Sequence, residues 1–148
     1  MRYILSVLAV CVFLAPSLPA SEHDGFVGAW QLDTTSSSVI DGKQVASATL
    51  TIDYRHKMVH LSESMNFSDG SSKIVAMEWK LDHKYHAVVG GGGEYLAKWE
   101  GASVLAAEHE MAQGHESIRL LVSPDGRSLT ETTHSTSGQG DRVLIWKR

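Results

Sequence analysis

An all-β, up-and-down antiparallel barrel of eight to ten strands is the fold class that this 148-residue sequence predicts. Three observations point there. Short apolar runs of strand length recur about every 8–12 residues from residue 25 to residue 147. Several of these runs alternate apolar and polar residues with period two, as a strand does when one face meets a core. Turn signals stand between them: Asp41-Gly42, Asp69-Gly70 and Pro124-Asp125-Gly126. There proline presets φ, aspartate bonds back to the backbone and glycine accepts positive φ.

Ten strands are predicted, over 25–33, 46–54, 57–67, 72–81, 85–89, 94–100, 103–111, 116–123, 127–136 and 141–147. In the second, Ala48, Leu50, Ile52 and Tyr54 share a face opposite Thr49, Thr51 and Asp53. In the third, Val59, Leu61, Glu63, Met65 and Phe67 oppose Met58, His60, Ser62, Ser64 and Asn66. Val75, Met77, Trp79 and Leu81 oppose Ile74, Ala76, Glu78 and Lys80 in the fourth. Ile118, Leu120 and Val122 oppose Ser117, Arg119 and Leu121, while Thr130, Thr132 and His134 alternate with Leu129, Glu131 and Thr133. Residues 104–113 are rich in helix formers. They are read as a strand because strand-like runs flank them and a short loop follows. The polar segment 33–43 is expected to cross one end of the barrel as a loop, and is too short for a two-helix lid.

The chain opens with the layout of a secretory leader. Arg2 supplies the positive start, Tyr3 to Leu14 is almost wholly apolar, and Ala15-Pro-Ser-Leu-Pro-Ala20 ends it with helix breakers and a small residue. Cleavage after Ala20 is expected, leaving 21–148 as a single domain in a secreted or periplasmic location. Cys11 follows Leu8-Ala9-Val10, which lacks the small residue that a lipidation cut wants. The mature chain would have no cysteine and would rest on its core alone. Removing Arg2 from 13 basic residues leaves 12 against 17 acidic ones, a formal charge of −5. The signs are interspersed, which argues against nucleic acid as a partner. No apolar run after the leader reaches the about 20 residues that a membrane-spanning helix needs.

Val88-Val-Gly-Gly-Gly-Gly-Glu-Tyr95 raises the question of a phosphate loop. A phosphate loop wants Lys and Ser or Thr after the glycines, opening a helix. Here a carboxylate comes first, and no helix pattern follows. The run therefore reads as a loose hairpin loop between strands 85–89 and 94–100, on the rim beside the barrel mouth.

Gly28-Ala-Trp30 fits the G-x-W that opens the first strand of lipocalins and related calycin barrels. Thr49-Leu-Thr-Ile52, Leu81-Asp-His-Lys-Tyr-His-Ala-Val-Val-Gly90, Ser123-Pro-Asp-Gly-Arg-Ser-Leu-Thr-Glu-Thr-Thr133 and Arg142-Val-Leu-Ile145 follow in order. Together they resemble a group of secreted bacterial lipocalin-like proteins of unassigned activity. The resemblance implies an up-and-down barrel whose G-x-W tryptophan plugs the closed end beneath a basic residue of the last strand. Trp30 matches the tryptophan. Arg142 is the match for the cation, with Lys147 and Arg148 as competitors. The resemblance carries over no catalytic residue.

No His-x-His occurs, the spacing that would put two rings on one strand face. His23 reads as a tail residue, and no metal or cofactor is expected. No G-x-S-x-G or mature cysteine anchors nucleophilic catalysis. Glu108 and Glu110 would share a strand face, most simply the solvated exterior, so no catalytic residue is assigned. The apolar stripe is more informative. Leu61, Met65, Met77 and Trp79, with Glu63 among them and Trp99 nearby, would line the lumen. Methionine adapts to varied apolar shapes, and a few polar groups in an apolar pocket orient a ligand. The expected partner is thus a small apolar or amphipathic molecule. An interaction module or inhibitor acting through rim loops 34–44 and 89–94 is the alternative, with a pocket acid–base enzyme third.

Overall fold

The computed structural model describes residues 22–36, 39–90, 92–136 and 140–148. The expected leader, residues 1–20, lies outside the described residues, as does the cut after Ala20. The strands are β1 (Gly28–Leu32), β2 (Val39–Ile40), β3 (Lys43–Arg55), β4 (Met58–Phe67), β5 (Ser72–Lys80), β6 (His86–Ala87), β7 (Glu94–Trp99), β8 (Val104–Met111), β9 (Gly114–Val122), β10 (Ser128–Ser135) and β11 (Arg142–Lys147). No helix occurs among the described residues. Ten strands form one antiparallel path, β5-β4-β3-β1-β11-β10-β9-β8-β7-β6, and β2 pairs β3 alone. The first strand lies between β3 and the last, so the meander closes on itself there. At the other side β5 and β7 approach each other, but no ladder joins them among the described residues. The result is a nearly closed barrel.

Each of the ten expected strands is present, and period two explains why. Val59, Leu61, Glu63, Met65 and Phe67 of β4 are all buried, while His60, Ser62, Ser64 and Asn66 are exposed. Trp79 of β5 is buried with Val75 and Met77 half-buried, against exposed Ile74, Ala76, Glu78 and Lys80. Burying one face of each strand removes apolar surface from water at about 25 cal/mol per Å², which fixes register because a one-residue slip would turn every such residue outward. Residues 104–111 follow their neighbours into the sheet despite their helix propensity. Leu105 and Ala107 pair with Leu120 and Ile118 in a shared core, and tertiary packing outweighs local preference.

Two details differ from the expectation. Residues 22–26 form a turn rather than the start of a strand, with Phe26 N–H donating to His23 O. Phe26 is buried, and its carbonyl accepts from Trp30 Nε1 at 3.0 Å. The expected loop over 33–43 also contains β2. Asp41 and Gly42 both have positive φ, 51° and 73°, which makes a two-residue hairpin turn whose twist suits the flanking strands. This small ribbon sends Ile40 into the core.

Candidate functional site

The seam between β5 and β7 is where the barrel wall is thinnest in hydrogen bonds. One hydrogen bond joins its two sides among the described residues: Tyr95 Oη accepts from Lys80 N–H at 3.1 Å. Beside that bridge lies a cavity of about 410 Å³, lined by Met77, Trp79, Val88, Val89, Tyr95 and His109 along with Ala76 and Glu78. Its walls come from three places. β5 presents Met77 and Trp79 on its inner face, β7 and β8 present Tyr95 and His109 as direct cross-strand partners, and the 88–89 segment folds over the opening. The lining is mostly apolar with a few polar atoms, the composition of a small-molecule pocket.

His109 is the main polar group there. Its ring meets Trp79 and Tyr95 edge-on, at 6.1 and 6.2 Å between centroids. Its Nδ1 lies 3.6 Å from Glu116, and its Nε2 has no hydrogen-bond partner among the described residues. Burial lowers its pKa, against the pull of Glu116 and with a smaller push from His115. The ring is therefore neutral near pH 7.

A second polar group lies deeper. Glu63 is only 4 % exposed, and its Oε1 accepts no hydrogen bond from the described residues. Burial first, and the charge of Glu131 second, push its carboxyl up to about 7, against Arg142 and Lys73. Glu131 is buried too but well supported: Arg142 Nη2 donates to Oε1 at 2.8 Å and Trp146 Nε1 to Oε2 at 3.0 Å. Towards the mouth a polar cavity of about 400 Å³ is lined by Ile40, Asp41, Glu116, Thr133, Asp141 and Arg142, among others. A further hollow of about 700 Å³ lies against Phe26, Leu121, Pro124 and Thr130; Leu121 belongs to an outer face, so this is an external groove.

The residues proposed from sequence for the lumen separate in space. Met77 and Trp79 line the seam cavity. Leu61 pairs with Met77 across β4 and β5, and Glu63 and Met65 continue the same inner face, so these three sit behind the cavity wall. Trp99 lies elsewhere. It stacks on His23 at 3.8 Å and touches Phe26 and Tyr54 at the closed end, so His23 packs as part of the base instead of trailing as a tail. Trp30 is fully buried there, but the cation over its ring is Arg148, 4.1 Å from the centroid. Arg142 is corrected: strand alternation turns it inward at the opposite end of β11, where Glu131 holds it. His109, Glu131 and Trp146 were not singled out from the sequence. An inward face for 129, 131, 133 and 135 was implied by alternation with Leu129, which would have found Glu131.

The glycine run is a tight crossing. Gly93 has φ 136°, and a Cβ there would fall 1.9 Å from the Glu110 carbonyl oxygen. Its own carbonyl accepts from Val88 N–H. No group of three or more His, Cys, Asp or Glu able to hold a metal occurs among the described residues. No helix of the described residues is long and apolar enough to cross a membrane.

This geometry defines a nearly closed, ten-stranded antiparallel up-and-down β-barrel. Among solved structures, the chain is similar to a Schistosoma mansoni fatty acid binding protein in complex with arachidonic acid, at a TM-score of 0.61 and 15 % identity over 86 % of this chain and 98 % of that one. It is also similar to secretory abundant heat soluble protein 4 from Ramazzottius varieornatus, at 0.59 and 11 % over 89 % and 99 %. The fatty-acid-binding protein isolated from Manduca sexta matches at 0.51 and 13 % over 83 % and 99 %. These likenesses establish the fold. No protein-family model matches the chain, and no curated protein sequence matches it.

Proposed function

We propose that this protein binds a small apolar or amphipathic molecule non-covalently, at the β5–β7 seam, after export from the cytoplasm. The observation that carries the reading is the cavity of about 410 Å³ bounded by Met77, Trp79, Val88, Tyr95 and His109. Its volume suits one small ligand. The driving force is burial of apolar ligand surface, about 25 cal/mol per Å². Two of the structural neighbours are fatty-acid-binding proteins, one of them solved with arachidonic acid, which supports this reading.

The test is displacement of an uncharged environment-sensitive dye from the purified protein, with native mass spectrometry of material from its own source. Val88→Trp fills the cavity from a half-buried position and should lower dye affinity at least about tenfold, or about 1.4 kcal/mol. Dye binding that is absent, or indifferent to Val88→Trp, would remove the seam from consideration. The rim-loop reading draws on exposed Val39 and Val89, one in each of the two proposed loops. A pull-down partner lost on Val39→Asp with dye binding intact would favour it.

A further inference from the structure

Inside the barrel, negative groups outnumber positive ones. Glu63 and Glu131 are buried, and Glu116 lies between His109 and the mouth cavity. The inward-facing guanidinium, Arg142, is already engaged by Glu131. His109 is neutral and offers a cation to no ligand. Lys73 is at the surface, paired with Asp41 at 2.6 Å. Arg142 keeps a buried Nε–H without a partner among the described residues, but its charge is already matched by Glu131, so an anionic ligand head would enter a space where three carboxylates stand against one guanidinium. Removing such a head from water without a partner costs several kcal/mol.

Glu63 Oε1 is the carboxylate oxygen among the buried polar atoms without a hydrogen-bond partner in the described residues, a set that also includes His109 Nε2, Thr133 Oγ1 and Arg142 Nε. Glu63 opposes Val75 on β5, and Met77 is two residues further on the same face. The acid is therefore a diagonal neighbour of the cavity wall, about 7–8 Å away by strand geometry. Met77 is half-buried and unbranched, the adaptable side chain that stands between the cavity and the carboxylate.

We propose that the amphiphile bound here carries a cationic, hydrogen-bond-donating head, an alkylammonium, seated on Glu63 Oε1 with its chain running past Met77 into the seam cavity. This rests on the ligand-binding reading above and names its ligand class. The ammonium supplies both the charge and the N–H that Glu63 lacks. The charged groups facing Glu63 are Glu131, Arg142, Lys73 and Asp41. Glu131 and Arg142 neutralise one another, and Lys73 and Asp41 do the same at the rim. Glu63 alone is left to change state when the head arrives, giving up its proton. An alkylammonium is charged at both pH 5 and pH 8, so affinity should rise with pH between them as Glu63 ionises.

The experiment is competition against the uncharged dye N-phenyl-1-naphthylamine by dodecylamine, dodecanol and dodecanoate, at pH 5 and pH 8. At pH 8 dodecylamine should compete at about tenfold lower concentration than dodecanoate, and its advantage over dodecanol, uncharged at both pH values, should shrink at pH 5. Glu63→Gln should bring dodecylamine down to the level of dodecanol while dodecanol itself is unchanged. The pH comparison on the unaltered protein stands even where Glu63→Gln fails to fold. Dodecanoate matching or beating dodecylamine at pH 8 overturns the head-group proposal and leaves ligand binding standing. So does an amine advantage that survives Glu63→Gln or is constant with pH. Competition by none of the three overturns both.

Discussion

The guanidinium of Arg148 lies over the ring of Trp30, 4.1 Å from its centroid, and donates to the carbonyls of Gly25 and Val27 at 3.1 and 2.6 Å. One side chain thus ties the last residue of the chain to the turn that precedes β1. The indole it covers is fully buried and bonded to Phe26 O, so the base of the barrel is a layered stack of cation, ring and turn.

Arg148→Ala should therefore cost about 1–2 kcal/mol, the worth of a cation–π contact with its hydrogen bonds. That corresponds to a fall of about 3–6 °C in Tm by scanning calorimetry. Arg148→Lys should restore part of it, since it keeps the charge but loses the fork. An unchanged Tm for Arg148→Ala would mean that the stack adds nothing to stability.

Gly93→Ala should be far more damaging than Gly92→Ala. Both residues have positive φ, but only at 93 does the new methyl meet backbone, 1.9 Å from the Glu110 oxygen. Gly92→Ala should lower stability by about 1 kcal/mol through φ alone, and Gly93→Ala by about 3 kcal/mol or more. Urea midpoints of the two variants check this, and equal midpoints would show that β7 and β8 separate at no cost.

Stability should carry a signature of Glu63. Its folded pKa, about 7, is raised above the ordinary value of 4.5, so the folded state holds the proton more tightly than the unfolded chain does. That contribution is fully present below about pH 4.5 and is lost as pH rises through about 7. The full swing is on the order of 3 kcal/mol. His109 acts in the opposite sense, because its lowered pKa favours the folded state as pH rises. The quantity to measure is thus the difference between the protein and its Glu63→Gln variant at pH 5 and pH 8 by urea denaturation. The variant should be the more stable partner at pH 8, and a difference that does not move with pH would contradict the burial of an unmet carboxylate.

Tyr95→Phe removes the side-chain hydrogen bond that crosses the seam among the described residues. Global stability should fall by about 1 kcal/mol. The Lys80 amide should exchange with deuterium faster, while the Leu61 and Ile52 amides, inside the β3–β4 ladder, should not change. Protection of Lys80 equal to that in the unaltered protein would show that the seam is held by something other than the phenol.

Much of this was legible in the sequence for a plain reason. A strand with one face in a core writes its burial as alternation, so Leu61, Glu63, Met65 and Trp79 could be placed inward before any coordinates existed. Alternation says nothing of height along the barrel axis or of which strands adjoin. Arg142 and Arg148 both stand on or beside the last strand, and only the path of β11 decides which one reaches Trp30. Trp99 likewise faces inward but at the base, away from the cavity. β2 is two residues long, too short to carry a period, although Asp41-Gly42 marked its turn. The cavity itself arises from a missing strand pairing, and a sequence records no such gap.

That gap changes how a cargo would come and go. Ile40, on a two-residue ribbon, packs into the core, whereas among the described residues the flank between β5 and β7 is joined by the Tyr95 phenol. Prising apart two laddered strands would mean rupturing a whole column of backbone bonds at once. Between β5 and β7 no such column exists among the described residues, so a cargo passing there would break fewer backbone bonds than at any laddered pair.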